Sequence, residues 1–270
     1  MYTCRMCRSS NLYKFLDLGF TPPADQFRRK EQLEEQEISY PLEVHICDDC
    51  GLAQLTYTVS PEVLYRNDYP YESSITKTGH IHWESFAKEI VERFNLGKHD
   101  LVVDIGSNVG VLLEAIKNKG VDVLGVDPAA NIVILAQKRG IDTICDFFNA
   151  ESVDKILADK GNASVITATN VFAHIDNIHY FAENIKMLLK DNGILVIEVP
   201  YLLDMIENMT FDAIYHEHLS YFSVTPLVYF FKKMKMNIFK IKKVDSHGGS
   251  LRIFVERNGG KHKIDSSVKS

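Results

Sequence analysis

Residues 101–110 read LVVDIGSNVG, and this stretch decides the fold. Its first half is a short apolar run that is rich in β-branched residues, as buried strands of parallel sheets are. Gly106 and Gly110 follow, and glycine lets the backbone turn sharply and approach a ligand where a Cβ atom would collide. The helical pattern VLLEAIKNKG comes next. The stretch is therefore predicted to be a strand, a tight loop and the start of a helix.

The same alternation of strands and helices continues on the C-terminal side. The predicted strands are 101–106, 121–127, 141–145, 163–170 and 193–200, with a final antiparallel pair at 237–244 and 250–257. The predicted helices are 76–94 (closed by Gly97), 109–120, 128–140, 181–193 and 225–235. This order predicts an α/β fold with a doubly wound, seven-stranded sheet and an antiparallel edge. Ligands bind such a sheet at the carboxyl ends of its strands.

Polar residues at those strand ends predict a nucleoside cofactor. Asp104 and the two glycines form D-x-G-x-x-x-G, and Asp127 ends the next predicted strand. A carboxylate there can accept hydrogen bonds from both hydroxyls of a ribose. The spacing differs from the G-x-G-x-x-G that cradles a pyrophosphate, so it favours S-adenosylmethionine over NAD. The alternative is the same fold with another ligand or none.

Four of the five cysteines form two C-x-x-C pairs, Cys4 with Cys7 and Cys47 with Cys50. Two such pairs are typical of a structural zinc site, in which four thiolates leave no open coordination position. The sequence therefore predicts a zinc-binding domain at residues 1–70 and a cofactor-binding domain at residues 71–270. Cys145 stands alone in an apolar stretch and is predicted to be a small buried side chain.

Composition excludes several classes of function. The 270 residues are 46% hydrophobic and carry a formal charge of −6, which argues against a surface for nucleic acid or anionic membranes. No apolar run approaches the roughly 18 residues that a membrane-spanning helix needs. The N-terminus lacks the apolar core of a secretory signal. A cytoplasmic protein that binds neither nucleic acid nor membranes is expected.

The stretch YHEHLSYFS, residues 215–223, holds more titratable groups than packing requires. Together with the four cysteines, the D-x-G-x-x-x-G core and DSHGGSLR at residues 245–252, it resembles the sugar C-methyltransferases along essentially the whole chain. The resemblance implies a class I methyltransferase domain with a Rossmann-like sheet, and S-adenosylmethionine as methyl donor. It implies a carbon of a nucleotide-linked keto-deoxysugar, of thymidine-diphosphate type, as acceptor. Family members usually continue into a C-terminal domain that helps to hold the sugar nucleotide, so a separate domain or partner chain is also expected.

Methylation of a carbon beside a ketone requires a base for the C–H proton and a donor for the enolate oxygen. By resemblance, His218 is the base, with Glu217 and Tyr215 as its polar companions. Which of these two orients the base and which contacts the sugar stays open. His174, in TNVFAHIDN, is implied to face the substrate.

Two further residues are assigned to the cofactor. Asn170 ends the fourth predicted strand and is expected at the same crevice. Tyr71 resembles a family tyrosine that reaches the methyl-donor pocket, although Tyr69 could take that place.

Three alternatives stay open. The H-x-H spacing of His216 and His218 could bind a metal if both lay on a strand, where their imidazoles would share a face; His216 could instead be a surface or supporting residue. The methyl group could be transferred to oxygen or nitrogen of another small molecule. The chain could also be a cofactor-binding module that needs a separate sugar-binding partner.

Overall fold

The computed structural model describes residues 2–66, 69–74 and 76–268. Its strands are β1 (Leu12–Thr21), β2 (Tyr40–Cys47), β3 (Ala53–Leu55), β4 (Leu101–Ile105), β5 (Asp122–Asp127), β6 (Thr143–Cys145), β7 (Ala163–Thr169), β8 (Leu189–Pro200), β9 (Ser220–Tyr221), β10 (Met236–Val244) and β11 (Ser250–Arg257). Its α-helices are α1 (Pro61–Tyr65), α2 (Lys77–Phe94), α3 (Val111–Lys117), α4 (Ala130–Lys138), α5 (Ala150–Asp159), α6 (Ile178–Leu188), α7 (Leu202–Glu207) and α8 (Val224–Lys233). None of the described helices is long and apolar enough to cross a membrane.

The large sheet has seven strands in the order β10-β11-β8-β7-β4-β5-β6. Strands β4 to β8 are parallel, while β11 runs antiparallel to both β8 and β10. This confirms the predicted doubly wound sheet with an antiparallel edge. The strand order reverses between β4 and β7, and ligands bind open α/β sheets at such a reversal.

Several predicted boundaries differ from the structure. Helix α2 ends at Phe94, because Asn95 adopts the left-handed conformation that closes a helix; Gly97 lies outside it. Helix α6 begins at Ile178, where the Asn177 side chain accepts a hydrogen bond from the Tyr180 amide, and β8 has already begun at Leu189. Helix α5 was not expected.

One local prediction was wrong, and the condition of one alternative is not met. Cys145 is exposed, because it ends β6, a strand at the edge of the sheet. The HEH residues 216–218 lie in a turn before β9 and not on a strand.

A second sheet has the order β1-β2-β3-β9. Strands β1 to β3 come from the cysteine-containing N-terminal region, but β9 comes from residues that directly follow the HEH turn. Ala53 pairs with Tyr221 and Gln54 with Ser220. The N-terminal sheet therefore includes a strand from far beyond residue 70, and this strand holds the HEH turn against the N-terminal region.

A buried ion pair holds α2 against the large sheet. The Arg252 Nη2 atom on β11 lies 2.8 Å from Oε2 of Glu198 on β8, and His82 Nε2 on α2 lies 2.7 Å from the other Glu198 oxygen. The Arg252 guanidinium also stacks 3.6 Å from the centre of the Phe86 ring. These contacts fix α2, and with it the chain that enters α2, relative to the strand ends.

Candidate active site

A cavity of about 760 Å³ opens at the carboxyl ends of β4, β5 and β7. Most of the predicted site residues line it: Tyr71, Asp104, Gly106, Asp127, Asn170, His174, Tyr215 and His218. The other two, Gly110 and Glu217, are close to the cavity without forming its wall. The tertiary structure thus brings together residues that the sequence places in five separate segments.

Asp104 forms the floor of one end of the cavity. Its carboxylate is buried and accepts a hydrogen bond of 2.6 Å from the Thr167 hydroxyl on β7. Burial raises the pKa of Asp104 to about 7, although the hydrogen bond from Thr167 opposes this shift. A donor group on a ligand would favour the charged form of this carboxyl.

Asp127 ends β5 on the neighbouring strand. Its two oxygens accept hydrogen bonds from the backbone amides of Asn108, at 2.9 Å, and Ala129, at 3.0 Å. Burial raises the pKa of Asp127, and these two amides act in the opposite direction. The amides fix the carboxylate at the cavity wall, where each oxygen still has a lone pair for a ligand hydroxyl.

The two glycines of the motif have different surroundings. Gly106 lines the cavity with a φ of 63°, and an added Cβ would lie 2.3 Å from Cγ2 of Val171. Gly110 precedes α3 with a φ of 77°, and a Cβ added at this position would lie 3.0 Å from Cγ1 of Ile141. Gly106 therefore shapes the cavity, whereas Gly110 allows α3 to pack closely.

Several buried polar atoms at the cavity have no hydrogen-bond partner. They are Ser107 Oγ, Thr169 Oγ1, Asn170 Oδ1, His174 Nε2 and Thr210 Oγ1. Buried polar groups are nearly always paired, so these atoms mark places where a polar ligand would bind. Asn170 has a left-handed φ of 56°, and its backbone N–H donates to the backbone carbonyl of Glu198 at 2.7 Å. This conformation holds Asn170 at the end of β7.

Residues 69–74 cross the cofactor end of the cavity as a strap. The Asn108 side chain donates to the Tyr71 carbonyl and accepts from the Ser73 amide, both at 2.9 Å. Asn131 Nδ2 donates to the Tyr69 carbonyl at 2.9 Å. Both Tyr69 and Tyr71 line the cavity, so the structure brings both candidates for the family tyrosine to the site.

His218 occupies the other end of the cavity. Its Nδ1 donates to the Ala213 carbonyl at 2.8 Å, because a carbonyl can only accept. In the neutral ring Nε2 is then an acceptor, and it lies 3.2 Å from the Tyr215 hydroxyl. Burial lowers the pKa of His218 to about 4, so the neutral ring is the form present at neutral pH.

His174 lies beside His218, with 5.1 Å between the ring centres and an angle of 47° between the ring planes. Its Nδ1 lies 3.2 Å from the Tyr65 hydroxyl, and its Nε2 is one of the unpaired atoms. Burial lowers the pKa of His174 well below its ordinary value, and His218 adds to the effect. Burial also raises the pKa of Tyr65, so that hydroxyl keeps its proton.

Glu217 and His216 are both buried and are not among the residues that line the cavity. Glu217 Oε2 accepts a hydrogen bond of 3.2 Å from the Tyr69 hydroxyl, which does reach the cavity. Burial, helped by the charge of Asp25, raises the pKa of Glu217 to about 8. His216 Nε2 donates to the Tyr40 carbonyl at 3.3 Å. Since His216 and His218 lie in different surroundings, they do not form the alternative H-x-H metal site.

The four paired cysteines form a separate metal site. Their sulfur atoms all lie within 4.8 Å of one another, with 3.5 Å between those of Cys4 and Cys50 and 3.4 Å between those of Cys7 and Cys47. A tetrahedral zinc with Zn–S bonds of about 2.3 Å requires sulfurs about 3.8 Å apart. The cluster fits a zinc ion with four sulfur ligands.

Comparison with known families agrees with both the cysteine cluster and the cavity of the large sheet. Residues 4–65 match a model for a zinc binding domain, and residues 80–234, more than half of the chain, match a model for a methyltransferase domain. The chain belongs to the methyltransferase family. The predicted class of enzyme and the predicted zinc-binding region are therefore confirmed.

Two relatives bear on the chemistry of this methyltransferase. The C-methyltransferase NovU of Streptomyces niveus is 34% identical over 265 residues, which are 98% of this chain and 63% of NovU. The methyltransferase thus spans less than two thirds of that relative's length. A ubiquinone biosynthesis O-methyltransferase of Azorhizobium caulinodans is 28% identical over 97 residues, or 36% of this chain and 38% of that enzyme.

Solved structures confirm the class I fold of the methyltransferase. An S-adenosylmethionine-dependent methyltransferase from Clostridium acetobutylicum superposes with a TM-score of 0.52 at 14% identity, covering 67% of this chain and 92% of that one. The plantazolicin methyltransferase BpumL, in complex with SAH, gives 0.53 at 16% identity, with 67% and 86% covered. At these identities the likeness concerns the fold alone.

The structure adds three residues to the site that were not predicted from the sequence. Tyr65 reaches His174, Asn108 joins Asp127 to the strap, and Asp25 comes from the N-terminal region to line the cavity. An asparagine directly after G-S in a glycine loop was a signal for Asn108, because asparagine tolerates the left-handed conformation. No local pattern marks Tyr65 or Asp25, since each reaches the cavity only through the packing of the N-terminal region.

Proposed function

We propose that this methyltransferase transfers a methyl group from S-adenosylmethionine to a carbon of a nucleotide-linked keto-deoxysugar of thymidine-diphosphate type. One observation carries the proposal: a single cavity has two carboxylates at one end and two neutral histidines at the other. Asp104 and Asp127 are the carboxylates, and His174 and His218 are the histidines. The match to NovU over nearly the whole chain supports carbon as the methyl acceptor.

The carboxylate end suits the cofactor. Asp127 is proposed to accept hydrogen bonds from the ribose hydroxyls, because its oxygens are held at the wall by two backbone amides. Asp104 and the unpaired Asn170 Oδ1 are acceptors for the cationic amino group of the methionine part. When bound, S-adenosylmethionine supplies an electrophilic methyl group.

His218 is proposed as the base that removes the proton beside the ketone. Its Nδ1 is committed to the Ala213 carbonyl, so the free lone pair is on Nε2. The low pKa of His218 in the absence of substrate is due mainly to burial. A negative enolate beside the ring would favour the imidazolium, because an opposite charge nearby raises the pKa of histidine. Tyr215, which donates to Nε2, is the group that must give way to the substrate.

His174 is proposed as the donor to the developing enolate oxygen. Tyr65 keeps its proton, and its hydroxyl is proposed to donate a hydrogen bond to Nδ1 of His174, which places the hydrogen of the neutral ring on Nε2. This Nε2 is buried and unpaired in the cavity. A preorganised donor of this kind stabilises negative charge on oxygen as it forms.

The charge of the cavity indicates how a sugar nucleotide would enter. The wall includes six aspartates and, among the described residues, no lysine or arginine: Asp25, Asp104, Asp127, Asp146, Asp176 and Asp212. Two of the six, Asp146 and Asp176, are paired with arginines outside the wall, and the other four have no such partner among the described ion pairs. A diphosphate would be repelled there, so the sugar is proposed to enter while the diphosphate stays outside. A further domain or a partner chain is proposed to bind the nucleotide, which also suits the greater length of NovU.

Incubation with S-adenosylmethionine and a thymidine-diphosphate-linked 4-keto-6-deoxysugar, followed by mass spectrometry, tests the proposal. The expected product is one methyl group heavier, and a His218→Gln variant should lose it. Exchange of the acceptor C–H proton with deuterated solvent, without methyl donor, reports proton removal separately. Methylation of the matched sugar whose ketone is reduced to an alcohol would instead indicate transfer to oxygen.

One alternative has a specific observation in its favour. In this alternative the described domain binds the cofactor and a second chain binds the sugar nucleotide, because the aspartates of the cavity wall do not suit a diphosphate. In that case S-adenosylhomocysteine would bind, but turnover would begin only when the second chain is added.

A further inference from the structure

Arg5 lies inside the first cysteine knuckle, between Cys4 and Cys7, yet its side chain leaves the knuckle and is almost completely buried. Its backbone amide donates to Gln54 Oε1 at 2.8 Å, which ties the knuckle to β3. Zinc binding by four cysteines does not require a buried arginine. The side chain therefore calls for an explanation of its own.

The guanidinium of Arg5 joins three segments of the chain. Its Nη1 donates to the carbonyls of Leu55, on β3, and Leu219, the latter at 3.2 Å. Its Nη2 donates to the Thr58 hydroxyl and its Nε donates to Asp176 Oδ1, each at 2.9 Å. Every nitrogen of the guanidinium thus has a partner, as burial of this charge requires.

Two of those partners are next to the histidines of the cavity. Leu219 directly follows His218, and its carbonyl also accepts from the Leu55 amide at 2.9 Å. Asp176 lines the cavity two residues after His174. The two histidines come from different segments, and the described contacts of Arg5 run to both of these segments.

We propose that Arg5 is a positioning residue that sets the placement of His174 relative to His218, so that metal binding by the cysteine cluster orders the histidine pair. The cluster holds the backbone on both sides of Arg5, and this fixes the origin of its side chain. The rigid, planar guanidinium then fixes the distance between the Leu219 carbonyl and Asp176. The zinc region is thereby part of the geometry of the cavity as well as of the fold.

The test uses the intact, zinc-loaded protein without substrate, so it does not depend on the identity of the acceptor. Nitrogen-15 NMR of the histidine rings reports the protonation and surroundings of each ring, with assignments from His174→Gln and His218→Gln variants. In Arg5→Gln we expect the signals of both rings to move and His218 to lose its single Nδ1–H form. Arg5→Lys should recover part of the original spectrum, because lysine keeps the charge but not the planar fork.

Controls separate this role from general damage to the knuckle. His179 donates from Nε2 to the Met6 carbonyl at 2.9 Å, so its unchanged signal, with about one zinc per chain, reports an intact knuckle. Arg8→Gln changes an exposed arginine in the same region, whose side chain makes a 3.5 Å contact with Asn177, and should leave both cavity histidines unchanged. Binding of S-adenosylhomocysteine should also stay within about threefold in Arg5→Gln.

A second variant decides the matter if Arg5→Gln does not fold. Asp176→Asn removes the charged partner of Arg5 at an exposed position and leaves the bonds to Leu55 and Leu219 in place. We expect the His174 signals to move in this variant while those of His218 stay. Unchanged histidine signals in Asp176→Asn, or in a folded Arg5→Gln, would overturn the proposal. If the proposed methyl transfer is observed, Arg5→Gln should lower kcat by about 100-fold with little change in the KM for S-adenosylmethionine.

Discussion

The backbone amide of Asn108 donates a hydrogen bond of 2.9 Å to Asp127, while the side chain of the same Asn108 holds the strap. One residue therefore contacts both the proposed ribose acceptor and the segment that carries Tyr69 and Tyr71. Asn108 has a left-handed φ of 51°, and in this conformation its backbone amide points to Asp127 while its side chain points to the strap. Ligand binding at Asp127 and the position of the strap should be coupled through Asn108.

Replacement of Asn108 by alanine should weaken cofactor binding. The variant keeps the amide that donates to Asp127 but loses both bonds to the strap, so the dissociation constant for S-adenosylhomocysteine should rise by about tenfold. Isothermal titration calorimetry measures this. Asn162→Ala is the matched control, because the Asn162 side chain likewise makes two hydrogen bonds to the backbone, to the Met187 and Leu188 carbonyls, and does not line the cavity. Equal affinity in both variants would show that the strap does not act on the cofactor.

Cys50→Ser should lose the bound zinc, since serine replaces one of four thiolates. We expect metal analysis to fall from about one zinc per chain toward zero, and the free energy of unfolding to fall by several kcal/mol, on the order of the cost of losing a structural metal. Strand β3 follows Cys50 closely, so hydrogen exchange should increase at Ala53–Leu55 and at its partner β9. Cys145→Ser, at an exposed cysteine outside the cluster, should change none of these quantities.

Glu217→Gln should change how stability depends on pH. The folded pKa of Glu217, about 8, lies above its ordinary value of 4.5, so the folded state binds more protons than the unfolded state between these values. Glu217 therefore makes the protein less stable as pH rises through this window. The variant should gain stability over the unsubstituted protein at about pH 8.5 compared with about pH 5.5, as measured by urea unfolding. The exposed Glu207→Gln is the control, and a difference that does not vary with pH would contradict the expected effect.

Gly106→Ala should destabilise the fold by about 2–4 kcal/mol, because a Cβ would meet Val171 Cγ2 at 2.3 Å and the backbone has a positive φ. Gly120→Ala isolates the backbone contribution, since Gly120 has a φ of 82° with open space around it, and should cost about 1 kcal/mol. Adding Val171→Ala to Gly106→Ala should recover part of the loss. If the two glycine variants cost the same, the close approach of Val171 is not important.

The seven-stranded core could be predicted because its signals are local. Each buried parallel strand is an apolar run, and each run is followed by a polar turn and a helical pattern, so residues 101–127 indicate both the fold and its ligand-binding edge. Helix boundaries were less predictable. Asn95 ends α2, although Gly97 is the stronger sequence signal for a helix end. Asn177 begins α6 three residues before the predicted start.

The candidate site was only partly predictable. Asp104, Asp127 and Asn170 stand at strand ends, and the sheet topology brings such positions to one crevice. His174 and His218 were assigned from resemblance, and no spacing in the sequence indicates that their rings face each other. Glu217 was expected among the catalytic groups, and this stays a prediction; in the structure it accepts a hydrogen bond from Tyr69, a residue of the cavity wall.

The sequence by itself determined the elements whose cause is local: the strands and helices of the core, the cysteine pairs that form a metal site, and the strand-end carboxylates. Only the tertiary structure decided that β9, directly after the HEH turn, completes the N-terminal sheet and that Arg5 reaches the segments of both histidines. The physical reason is that these contacts join residues far apart in the chain. Their hydrogen bonds depend on how the two sheets pack, and no local periodicity of the sequence indicates them.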